Sequence, residues 1–112
     1  MADLKFDEFL KVDIRVGTVT RVEQFPEARK PALKIWVDFG DGIGERKSSA
    51  QVTKHYDPVS LVGKQVMAVV NFPPKQIGKF MSEILVLGLS DDTGEIVLIS
   101  PDIVVPNGRR MH

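Results

Sequence analysis

The sequence predicts an all-β fold: a five-stranded Greek-key barrel with short helices and with extensions at both termini. Three observations predict it. Short apolar runs alternate with polar residues, Gly, Pro and Asp separate five such runs, and a helix-start signal lies between the third and fourth. The 112 residues are expected to form one domain, 1–112, since compact domains run about 50 to 200 residues. With 43% hydrophobic and 27% charged residues, a core forms without covalent staples.

Phe6, Phe9 and Leu10 recur at helical spacing after Asp3, predicting one or two helical turns with an apolar face. From Val12 to Val22 the apolar positions run Val12, Ile14, Val16 and then change phase to Val19 and Val22, predicting a strand bulged around Gly17. Phe25 to Pro31 is a loop. Leu33, Ile35, Val37 and Phe39 alternate with Lys34, Trp36 and Asp38 in a second strand with one apolar face. Gly40 to Gly44 turn the chain into a polar third strand, Glu45 to Val52. Asp57 as N-cap, Pro58 at the first helical position and Gly63 beyond the end define a short helix from Asp57 to Val62. Strands at Val66 to Asn71, Ile84 to Leu89 and Glu95 to Ser100 follow, with Asp91 to Gly94 turning between the last two. This order matches the oligonucleotide/oligosaccharide-binding (OB) barrel better than a sandwich, which more often carries about seven strands or more.

Cysteine is absent, which excludes disulfide scaffolds, cysteine nucleophiles and thiolate metal centres. His55 and His112 have no companion at metal-ligand spacing, Ser48 and Ser49 lack a nucleophile-elbow pattern, and no Gly-rich phosphate loop precedes a helix. No enzyme, metal or cofactor is expected. Neither a signal-peptide pattern nor an apolar run of roughly 20 residues occurs, so a soluble, cytoplasmic protein without membrane insertion is expected. Fifteen Lys+Arg balance fifteen Asp+Glu, leaving no bulk positive field. Residues 28–83 nevertheless carry nine basic against five acidic side chains.

The segment Asn71 to Glu83 is long and apolar for a connection. Phe72, Ile77, Phe80 and Met81 either cap the barrel end or form a recognition pocket, in a chain stiffened by Pro73 and Pro74, with Lys75, Gln76 and Lys79 as donors. The third strand presents Arg46, Lys47, Ser48, Ser49 and Gln51, suited to a sugar-phosphate or peptide backbone. Trp36 is either a stacking platform or a packing residue.

The runs Asp13-Ile14-Arg15-Val16-Gly17-Thr18-Val19, Val37-Asp38-Phe39-Gly40, Tyr56 to Gly63 and Val70-Asn71-Phe72-Pro73-Pro74 resemble the EMAP-II-like tRNA-binding domain family. Within it, Phe25-Pro26-Glu27-Ala28-Arg29, Ser48-Ser49-Ala50-Gln51, Phe80 to Gly88 and the tail Val105-Pro106-Asn107-Gly108 resemble the CsaA secretion chaperones. The resemblance implies a non-catalytic homodimer that binds unfolded or signal-bearing precursor proteins and delivers them to the secretion machinery. It implies association through both chain ends, with Phe6, Phe9, Leu10, Val104 and Val105 at the interface.

On this reading Phe72, Lys75, Gln76, Ile77, Phe80 and Met81 bind an extended client segment. The alternative is a tRNA or structured-RNA site of Lys34, Trp36, Arg46, Ser49, Asn71, Lys75, Lys79 and Ser82. Against tight tRNA binding, Ser82-Glu83 is followed by Ile84-Leu85 where the broader family has Gly-Met. Weak tRNA affinity is compatible with the residues that remain.

Overall fold

A computed structural model describes residues 2–112. In chain order the elements are α1 (Phe6–Leu10), β1 (Ile14–Gln24), β2 (Leu33–Asp38), β3 (Glu45–Ala50), α2 (Pro58–Leu61), β4 (Gln65–Val69), β5 (Lys75–Ile77), β6 (Phe80–Ser82), β7 (Leu85–Val86), β8 (Gly88–Ser90) and β9 (Ile96–Leu98). An antiparallel sheet runs β3-β2-β1-β4-β7, and two hairpins, β5-β6 and β8-β9, stand on it.

The sheet is an almost closed OB-like barrel, and side chains complete the seam. Glu83 N–H donates to the Lys47 carbonyl at 2.8 Å, Lys47 N–H donates to Glu83 Oε1 at 3.1 Å, and Ser49 N–H donates to Ser82 Oγ at 3.1 Å. Part of the β3 edge thus finds acceptors without a full partner strand.

Alternation along β2 decides the interior. Leu33, Ile35 and Val37 point inward with Phe39 and meet Val19, Val22, Val66, Ala68 and Val86, while Lys34 and Trp36 face out. Asp57 caps α2 by accepting from the Val59 and Ser60 N–H groups, both at 2.8 Å, and Gly63 takes φ +90° after it, as the sequence predicts.

Three expectations need correction. The bulge lies between Val19 and Arg21, not at Gly17. Gly17 is required for a different reason, since a Cβ there would lie 2.5 Å from Val37 Cγ1 and 2.8 Å from the Asp38 carbonyl. The earlier change of phase marks a change of face: Ile14 and Val16 belong to a second apolar cluster with Met67 and Val69, on the opposite side from Val19.

Ile84 to Leu89 is not one strand. Leu85–Val86 stays in the barrel while Gly88–Ser90 leaves to pair with β9, at a glycine whose Cβ would collide with the Ile96 side chain. Asn71 to Glu83 is not a plain loop either, because Gly78-Lys79 closes the β5-β6 hairpin with φ +61° at the glycine. The expected helix α1 is present, and within the chain it buries none of its residues.

The C-terminal tail lies along the first half of β1. Gly108 N–H donates to the Val16 carbonyl, Val16 N–H to that of Arg109, and Met111 N–H to that of Ile14, at 2.8, 3.1 and 2.8 Å. Gln65 holds Val105 through both backbone groups, and Val105 packs on the second apolar cluster.

Candidate functional site

The β5-β6 hairpin divides the expected peptide-binding residues by simple alternation. Lys75 faces Ser82 and Ile77 faces Phe80 on one side of the hairpin, whereas Gln76 faces Met81 on the other. Phe80 is only 9% exposed and belongs to a packed cluster with Phe25, Ala32 and Trp36, so it is a platform under the hairpin and not a wall of an open pocket. Its ring centroid lies 5.5 Å from that of Phe25 and 6.0 Å from that of Trp36. Met81 is exposed on the outer face, and Gln76 donates back to the Gly78 carbonyl at 3.0 Å.

Phe72, Lys75 and Ile77 remain together. With Pro73, Ile84 and Leu85 they border a cavity of about 440 Å³ whose polar rim includes Ser49, Gln51 and Ser82. Phe72 is 54% exposed there. An apolar cavity of this size with a few donors and acceptors at its rim suits one or two side chains of a ligand. Ile84 and Leu85 were not anticipated at a site. The signal was available in the unbroken apolar run Ile84 to Leu87, since a strand cannot turn four consecutive side chains to one core.

Most of the residues expected to contact RNA are engaged within the chain. The Trp36 ring carries the Arg21 guanidinium 4.5 Å from its centroid, and Lys34 Nζ lies 4.8 Å from the Phe25 centroid. Arg46 Nε donates to the Ile43 carbonyl at 3.2 Å, and Ser82 Oγ accepts from Ser49. Asn71 accepts from Asp13 N–H at 3.0 Å and donates to the Lys11 carbonyl at 2.7 Å. Lys79 is exposed at the hairpin turn, and Ser49 and Lys75 border the cavity.

The residues expected at a subunit interface differ in their surroundings. Phe6, 70% exposed, Leu10 and Val104, 81% exposed, are open to solvent. Phe9 is half-buried, with its ring 6.3 Å from that of Phe6. Val105 is held within its own chain.

Three carboxylates titrate low, Asp57 among them through the Ser60 and Val59 amides that it caps. A two-point hydrogen bond from Arg15 to Asp13, with contacts of 2.6 and 3.2 Å, holds Asp13 below the usual carboxylate range, with Arg110 adding attraction. Asp91 is held well below that range, first by His55, whose Nε2 lies 2.7 Å from Oδ2, and then by Thr93.

The family model described as "Putative tRNA binding domain" matches residues 14–110. The chain belongs to this tRNA-binding-domain family. Within the family it closely matches CsaA-type chaperone structures. A chaperone CsaA structure from Bacillus anthracis str. Ames shares 49% identity, covering 99% of this chain and 100% of that one, at a TM-score of 0.92. A CsaA chaperone structure from Picrophilus torridus shares 46% identity over 98% of this chain and 100% of that one, at 0.90. Methionine–tRNA ligase of Porphyromonas gingivalis is 40% identical over 109 residues, 97% of this chain but 16% of the ligase. The chain therefore spans less than a fifth of the length of such ligases.

These similarities define a chaperone and RNA-binding family. The chain has the fold of the CsaA-type structures, and among the described residues no group of three or more His, Asp or Glu could hold a metal ion. No helix among them is long and apolar enough to cross a membrane.

Proposed function

We propose that this protein is a chaperone that binds extended, apolar segments of unfolded or signal-bearing precursor proteins, acts as a homodimer and passes its clients toward export. The cavity of about 440 Å³ between Phe72-Pro73, Ile77 and Ile84-Leu85 carries the reading. It offers apolar contact on three sides and hydrogen-bonding groups at Ser49 and Gln51, the combination an extended peptide needs for one buried side chain and its neighbouring amides. Near-full-length similarity to the CsaA chaperones supports the same reading. Because an unfolded client loses chain entropy on docking, affinity is expected to be modest and tolerant of sequence.

The family match favours tRNA as a second ligand. The internal engagement of Trp36, Arg46, Asn71 and Ser82 weighs against it as the principal one. Fluorescence anisotropy with a labelled apolar peptide and, separately, labelled tRNA, each at low and physiological salt, distinguishes the two. Peptide binding that survives salt and weakens in Phe72→Ser supports the chaperone. Steeply salt-dependent tRNA binding with no peptide binding overturns it.

A further inference from the structure

We infer that the site selects apolar client segments accompanied by acidic residues, in preference to the basic-then-apolar order of a signal peptide. This rests on the peptide-binding reading above and concerns the same site. A second cavity, of about 670 Å³, continues from the first, because Ser49, Gln51, Lys75 and Ile77 border both. Its far wall is the loop between β1 and β2, which contributes Glu27, Arg29 and Lys30. Together the two cavities form one trough with an apolar end at Phe72 and Leu85 and a basic end at Arg29 and Lys30.

The charges along this trough are not balanced. Among the described residues Arg29, Lys30 and Lys75 form no ion pair, and all three are exposed. Of the two carboxylates present, Glu83 accepts from the Lys47 amide at the seam, which leaves Glu27 as the one opposing charge at the basic end. A client that seats an apolar side chain against Phe72 runs its neighbouring residues past three cations that outnumber the two carboxylates of the trough. An acidic flank gains attraction there, and the basic leading region of a signal peptide is repelled. Pro73 and Pro74 lack amide hydrogens and add no competing donors on that wall.

The test uses three labelled peptides with one shared apolar centre and acidic, neutral or basic flanks, measured by anisotropy on the whole protein. At low salt the acidic-flanked peptide is expected to bind roughly five- to tenfold more tightly than the basic-flanked one, a gap that narrows with salt while the neutral peptide changes little. Arg29→Glu with Lys75→Glu should reverse the order, and Arg29→Gln alone should narrow it should the double variant fold poorly. Equal binding of all three overturns the inference and leaves the peptide-binding reading intact. Binding of none overturns both. Salt-dependent displacement of the acidic peptide by tRNA, with no flank preference, would give the basic end to phosphate and also overturn the inference.

Discussion

At the scale of single residues, two phenylalanines of the segment from Asn71 to Glu83 carry different burdens. Phe80 packs among Phe25, Ala32 and Trp36, whereas Phe72 stands half open beside the cavity. Phe80→Ala is therefore expected to cost about 3 kcal/mol of stability, read by urea unfolding, and to weaken peptide binding only through the loosened hairpin. Phe72→Ser should leave the urea midpoint nearly unchanged and lower peptide affinity several-fold. Gly17 makes a third case. A methyl group at that position has no room against Val37 and the Asp38 carbonyl, so Gly17→Ala is expected to destabilise by about 1 to 3 kcal/mol although alanine suits a strand better than glycine.

At the scale of elements, the two chain ends are joined by a polar clasp. Arg110 donates to the Leu10 carbonyl at 2.5 Å, Arg15 donates to that of Gly108 at 3.0 Å, and both guanidinium groups attend Asp13. A second clasp, His55 to Asp91, ties the segment before α2 to the β8-β9 turn. Both carboxyl groups have folded-state pKa values below their unfolded ones. Their stabilisation is therefore fully present above the ordinary aspartate value near about 3.9 and is lost as pH falls through the lowered folded values. Asp91→Asn is expected to lower the melting temperature at pH 6 and to reduce the further loss on going from pH 4 to pH 2. An unchanged acid profile would assign the acid sensitivity to other carboxylates.

At the scale of the whole molecule, apolar side chains remain uncovered at both ends. Leu4, Phe6 and Leu10 precede β1, while Ile103 and Val104 stand on the segment leading into the tail. Those exposed groups support the proposed homodimer, since apolar side chains near a chain end are commonly covered by a partner. Phe6→Asp with Val104→Asp is expected to give a folded monomer by analytical ultracentrifugation. Val105 behaves differently, because it already packs on Ile14, Val16, Met67 and Val69. Val105→Asp should unfold the tail within one chain before it affects association, visible as faster hydrogen exchange at Gly108 and Met111.

Local pattern determined the element types. The strict alternation of Leu33 to Phe39 fixes one face inward whatever the neighbours are, and Asp57-Pro58 with Gly63 defines a helix through backbone chemistry alone. The family was legible for a related reason: turn glycines, prolines and the Asp13 to Val19 run stand in fixed order along nearly the whole chain. The candidate site was legible only as a composition. An apolar segment between Asn71 and Glu83 announces that something covers the barrel or binds there, but it does not say which side chains do either.

Tertiary structure decided that division. A hairpin sends alternate residues to opposite faces, so Ile77 and Phe80 turn toward the packed cluster and the cavity beside it, whereas Gln76 and Met81 turn to the solvent. The bulge beside Thr20, the seam made by Ser82 and Glu83, and the trough shared by two distant loops likewise depend on which strands become neighbours. Short-range patterning sets the period of each segment, whereas pairing register and barrel closure set what each side chain faces, and these arise from contacts between residues far apart in the chain.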